Sequence, residues 1–217
     1  MFNHLSKNDF TNHTGGAYGG DTIGDQIGSK HGFINHMHYR PYDNTNVSAS
    51  LRRAGVKGVI LSKEETERGR CSVNLELGKD FKDNISGNLQ GRNYYQVDNS
   101  DTVICIGSMT SPSSISGGTN TAFQLAIVQN KNLFLWDLNT QKWYGYSFEE
   151  SKLLPCSTPV LTPNYSIVGT RDIEDYNVKD KSTGQWVSRP QYVGKEKADN
   201  AYKAVQNVFR KTSQLIS

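Results

Sequence analysis

Little in this sequence points to metal, membrane or nucleic acid. Its three cysteines, Cys71, Cys105 and Cys156, are odd in number and widely spaced, which argues against a disulfide framework and against a zinc ribbon. No apolar run reaches membrane-spanning length, and the opening MFNHLSKNDF lacks the apolar centre of a secretion signal. No membrane partner and a cytoplasmic location are therefore expected. A basic tract is missing too: the net charge is +3, and the densest charged cluster, KEETERGR at 63–70, mixes both signs as a solvated helix face does. Nucleic acid is not expected as the main partner. Apolar residues make up only 35%, yet 11 Tyr, 8 Phe and 3 Trp can supply much of the buried area, so the chain is read as folded.

The 217 residues suit a single domain, 1–217, with one sizeable core. Thr22 to His31 reads as a short helix stopped by Gly32, and FINHMHY (33–39) and VKGVILS (56–62) read as strands. Residues 63–79 read as a charged helix. DTVICIGS (101–108) is the clearest strand, a continuous apolar run of the kind buried on both faces of a parallel sheet. A polar loop, the pair Gly117-Gly118, the helical stripe of TAFQLAIVQN and the strand NLFLWDL (132–138) complete a βαβ unit. KWYGYSF (142–148) reads as an aromatic strand, and apolar residues at helical spacing from about 195 to 216 give a C-terminal helix. The expected fold is α/β, a Rossmann-like three-layer sandwich around a mainly parallel central sheet.

Two glycine-rich loops carry the functional question. TGGAYGGD (14–21) and SGGTNT (116–121) each open a helix. Each is either a tight strand-to-helix connection or a place where backbone N–H groups meet a phosphate. The second follows a strong strand, and the hydroxyls of Thr119 and Thr121 add donors. The first follows NDFTNHT, a poor strand, and so fits the dinucleotide fingerprint badly.

TGGAYGGDTIGDQIGSKHG resembles the opening of SLOG-type proteins, the Rossmann-like superfamily of lonely-guy phosphoribohydrolases, DNA-processing and molybdenum-carrier-like proteins. The likeness continues in order through HYRP (38–41), RNYYQVDNSDTVICIG (92–107), GGTNTAFQLAIVQNKNLFLWD (117–137) and IVGTRDI (167–173), and it points to a phage-borne or bacterial branch. It implies a ligand site made of Gly15, Gly16 and Asp21, then Arg92 and Asn93, then Gly117, Gly118, Thr119 and Thr121, and finally Gly169, Thr170 and Arg171. Such a set suits an anionic nucleotide-like ligand, bound through N–H groups and guanidinium groups. Lonely-guy hydrolases carry a glutamate where this chain has Gln124, and an amide can neither act as a general base nor stabilise an oxocarbenium ion by charge. The expectation is therefore a protein that senses or sequesters a nucleotide-derived ligand, with no resident cofactor. Capture of a host signalling nucleotide in the host cytoplasm is one use of such a protein if it is phage-encoded. A nucleotide N-glycosidase is the alternative, with Glu174 or Asp175 as a substitute carboxylate, and an oxyanion carrier is a third reading. A homo-oligomer, joined through the C-terminal helix, is compatible with the sequence.

Other constellations have plain readings. His36 and His38 share one strand face near His31, and packed, hydrogen-bonded histidines are expected there rather than a metal site. Tyr39 or Arg40 could border the ligand. Cys105 reads as a small buried hydrophobe. Trp136, Trp143, Tyr144 and Tyr146 read as core and hairpin, with base stacking as the competing role.

Overall fold

The computed structural model describes residues 4–43, 57–175, 177–179, 182, 184–188 and 191–216. It is α/β, a three-layer sandwich around a mostly parallel sheet. The chain runs β1 (Thr11–Thr14), α1 (Gly20–Lys30), β2 (Asn35–Arg40), β3 (Lys57–Ile60), α2 (Lys63–Leu77), α3 (Ile85–Asp98) and β4 (Thr102–Gly107). A small hairpin, β5 (Met109–Ser111) and β6 (Ser114–Ile115), precedes α4 (Thr119–Val128). Then follow β7 (Asn132–Asp137), β8 (Lys142–Ser147), β9 (Lys152–Pro155), β10 (Asn164–Gly169), β11 (Asn177–Lys179), β12 (Trp186–Ser188) and α5 (Lys195–Ile216). Residue 56 of the second expected strand and parts of 176–190 lie outside the described residues.

The main sheet has eight strands in the order β3-β2-β1-β10-β4-β7-β8-β9. Pairing is parallel from β3 to β7 and antiparallel for β8 and β9. The order grows outward from β1 in one direction and from β4 in the other, and β10 returns last to fill the gap between them. That is a topological switch point, where an open α/β sheet leaves a crevice beyond its carboxyl ends.

Period-two alternation in β4 sorts the layers. Ile104 and Ile106 face one core with Ile23 and Ile27 of α1 and Val205, Val208 and Phe209 of α5. Val103 and Cys105 face the other with Val73 of α2, Val97 of α3 and Phe123 of α4. All four β4 side chains are fully buried, as the apolar run requires. Cys105 is a buried thiol whose pKa burial raises far above its usual value.

Polar NDFTNHT, a poor strand on composition, supplies the central strand β1. Its buried polar side chains, Asn12, His13 and Thr14, each find a partner. Asn12 Nδ2 donates to Asp25 Oδ1 at 2.8 Å, and Asn12 Oδ1 accepts from the Ile167 N–H at 3.2 Å. Thus Asn12 joins β1, α1 and β10 at the point where the β1–β10 pairing ends, at Asn12 opposite Tyr165. Asp25 is also the anchor for the two strand histidines: His38 Nε2 lies 2.6 Å from Oδ2, and His36 Nδ1 lies 2.9 Å from Oδ1. Burial alone would push the Asp25 carboxyl up, but hydrogen bonding and attraction from His36 and His38 hold it below its usual range. Among the described residues no group of three or more His, Cys, Asp or Glu side chains is placed to hold a metal ion. No helix among them is long and apolar enough to cross a membrane.

Candidate functional site

The first glycine loop is a packing device. A Cβ on Gly20 would lie 2.4 Å from the Gly169 backbone, and one on Gly24 would lie 2.8 Å from Ile167 Cβ. These glycines let α1 lie directly on β10. Three of the loop's donors are already occupied by the chain's own carboxylates: Asp21 Oδ2 accepts from the N–H groups of Gly15 (3.1 Å) and Ala17 (3.3 Å), and Glu174 Oε2 accepts from Gly19 (2.7 Å). Burial raises the pKa of both carboxyls against these hydrogen bonds. Helix α1 therefore begins at Gly20, two residues earlier than the sequence suggests, with acidic side chains filling its positive end.

The second loop is open. Gly117 adopts φ +74° with nothing within 4 Å of a Cβ position, and a Cβ on Gly118 would reach only Gln90 Nε2, at 3.7 Å. Helix α4 has no side-chain cap. Among the described residues, no acceptor is found for the N–H groups of Gly117, Gly118 and Thr119; the bonding turn begins with Asn120 to Gly117 O. Three backbone donors at a helix start thus face solvent space.

That space is a cleft of about 840 Å³ at the carboxyl end of β10, within the size range of small-molecule sites. Of the residues proposed from sequence, Asp21, Arg92, Asn93, Gly117, Gly118, Thr119, Gly169, Thr170 and Arg171 line it. Gly15, Gly16 and Thr121 do not. Gly15 lies behind Arg92, whose Nη1 donates to the Gly15 carbonyl, and a Cβ on Gly15 would collide with the guanidinium. Gly16 closes the turn by donating to Thr14 Oγ1 at 3.3 Å, and Thr121 donates its N–H back to Gly118 O.

Arg92 is carried by α3, an element that apolar periodicity does not announce. Asn84 caps α3 by accepting from the Gly87 N–H at 2.9 Å. The helix then meets α2 through glycines: a Cβ on Gly69 would lie 2.6 Å from Gly91 O, and one on Gly91 would lie 2.7 Å from Arg70 N. This close approach holds the next residue, Arg92, against the cleft. Burial lowers the Arg92 pKa, Asp21 opposes the shift, and the neighbouring cations Arg171 and Arg40 add to it. Its Nε is buried without a partner among the described residues. Arg171 stands exposed at the rim, just after Thr170, whose Oγ1 accepts from the Asp172 N–H at 3.2 Å.

Several cleft residues escape sequence reasoning. One face of α3 presents Ile85, Leu89 and Gln96 in line with the expected Asn93, and Gln90 beside them. Their spacing, near i, i+4, i+8 and i+11, is a helical stripe, but half of it is carboxamide and does not read as a core face. Across the cleft stand Ala122 and Val168.

Other candidates lie elsewhere. Gln124 does not line the cleft; its Nε2 donates to Ser113 O at 2.7 Å. Glu174 is engaged with Gly19 and Thr22 and is also outside the lining. Trp136 and Trp143 meet edge to face at 5.3 Å beside the α5 core, and Tyr39 donates to or accepts from His13 Nδ1 at 3.0 Å; none of the three lines the cleft. The carboxylates that do reach the cleft are Asp21 and Asp172. Comparison of the chain with protein-family models, with curated proteins and with solved structures finds no match.

Proposed function

We propose that the chain binds a small phosphorylated, nucleotide-like ligand in this cleft, and that it senses or sequesters the ligand rather than converting it. The observation that carries the reading is the second loop. Three N–H groups without acceptors, at the positive end of α4, share one cleft with the guanidinium groups of Arg92 and Arg171. A phosphate placed there would receive backbone hydrogen bonds, the helix dipole and cationic charge together. The first loop contributes indirectly, because its carboxylates take up its own donors and leave the second loop as the anion site. The resemblance to SLOG-type proteins supports the same ligand class. A phage-borne role in capturing a host signalling nucleotide would be one use of it.

One observation favours a second reading, a nucleotide N-glycosidase. Asp21 is buried in the cleft lining, and burial raises its pKa above the ordinary carboxylate value against the opposing charge of Arg92, as is common for groups at catalytic sites. The test is mass spectrometry of small molecules released when the purified protein is denatured, repeated after incubation with a nucleotide panel. Nucleotides that return intact support binding without turnover. Free base or sugar phosphate accumulating with time, and lost in Asp21→Asn, supports the enzyme. A chain that retains no phosphorylated compound under any condition refutes both.

A further inference from the structure

The lining residues divide by exposure. Gly117, Gly118 and Arg171 are exposed, whereas Ala122 (2%), Val168 (4%) and Gln96 (1%) are buried. The cleft thus has a donor-rich rim carrying Arg171 and a deeper part in which the apolar Ala122 and Val168 stand with the Gln96 carboxamide and the buried Asp21 carboxyl. Among the described residues, neither Nε2 nor Oε1 of Gln96 has a hydrogen-bond partner, and neither atom is open to solvent. Leaving one such buried group unpaired costs about 1–3 kcal/mol, and folded proteins keep few of them. Gln96 leaves two unpaired on one side chain. The neighbouring carboxamides do not relieve it, because Asn93 Nδ2 donates to Gln90 Oε1 at 3.3 Å.

We propose that Gln96 is the ligand-selecting residue of the cleft: its orphaned carboxamide, closed to solvent in the ligand-free protein, turns into the cleft to pair with a planar ligand edge carrying a hydrogen-bond donor beside an acceptor, while the phosphate sits at the start of α4. This rests on the phosphate-binding reading above and names the chemical class within it. A carboxamide satisfies both of its groups at once against such an edge, as glutamine does with adenine. Nucleobases and carboxamide-bearing heterocycles have that edge; inorganic phosphate and simple sugar phosphates do not. The apolar walls of Leu89, Ala122 and Val168 suit the faces of a flat ring. A cleft of about 840 Å³ has room for both parts of such a ligand.

The test is calorimetric titration of the full chain with adenosine monophosphate, ribose phosphate and inorganic phosphate, for the native protein and Gln96→Met. The native protein should prefer the nucleotide to ribose phosphate. Gln96→Met should weaken nucleotide binding about tenfold or more and leave ribose phosphate unchanged. It should also raise the Tm of the ligand-free protein, since an apolar side chain of similar volume removes the two orphaned groups. A structural glutamine would move these readouts differently: lower Tm and equal losses for every ligand. That result overturns the proposal, as does an intact nucleotide preference in the variant. A native protein that binds ribose phosphate as tightly as the nucleotide overturns this inference alone. One that binds no phosphorylated compound overturns the phosphate site and this inference with it. If Gln96→Met does not fold, Gln96→Asn withdraws the carboxamide by one methylene, and the same selective loss is expected.

Discussion

Replacing Arg171 with alanine separates binding from folding more cleanly than any other change in the cleft. The side chain is exposed and follows the Thr170 turn, whose Oγ1 accepts from the Asp172 backbone N–H and does not depend on the guanidinium. Stability should therefore change by no more than about 0.5 kcal/mol, the usual range for an exposed site. Binding should change far more. A charge-assisted hydrogen bond to phosphate contributes about 1.5–3 kcal/mol, which is roughly 10- to 150-fold in Kd. Because the site is exposed and the Debye length is about 8 Å at physiological salt, the lower end applies there, about tenfold. The assay is calorimetric titration with adenosine monophosphate at low and physiological salt, beside urea denaturation. Raising salt should weaken the native protein more than the variant, and Arg171→Lys should fall between them, since it keeps the charge and loses the planar fork. An affinity in Arg171→Ala equal to that of the native protein would remove Arg171 from the site and refute the rim as the phosphate locus.

The two glycine loops should respond oppositely to alanine. Gly20→Ala forces a Cβ onto the β10 backbone and should cost roughly 1–3 kcal/mol in urea denaturation, while Gly118→Ala, with open space and φ −66°, should cost less than about 1 kcal/mol. Equal losses would contradict the division of the loops into packing and binding roles. Asp25→Asn strips the buried carboxylate from His36, His38 and Asn12 and should destabilise by about 3 kcal/mol or more. Thermal unfolding near the native Tm would contradict that. Burial raises the pKa of Glu174 in the folded state, so the stability it contributes is complete below the ordinary value of 4.5 and is lost as pH rises through the folded value. Glu174→Gln should therefore gain on the native protein between acid and neutral pH in paired urea titrations, and a constant difference would show that Glu174 does not titrate abnormally.

What sequence alone determined was the scaffold. The apolar run of 102–107, the following helix and the strand at 132–137 have local signals strong enough to fix a parallel βαβ unit, because burial on both faces admits few other arrangements. Helices α2 and α5 are legible as well, one as a charged stretch and the other as an apolar stripe, and the structure adds a Ser62–Glu65 capping box at the start of α2. The polar strand β1 is not legible, since its burial depends on Asp25 and Ile167, residues distant in the chain. The candidate site divides along the same line. Both glycine loops are visible in the sequence, but spacing cannot say which has free donors. That depends on Asp21 and Glu174 folding back onto the first loop and on the second finding no acceptor among the described residues. Gln96 carries no local signal whatever. Its unpaired amide becomes evident only when α3, α4 and β10 come together, because a hydrogen bond left unmade is a property of three-dimensional neighbours and not of the residue itself.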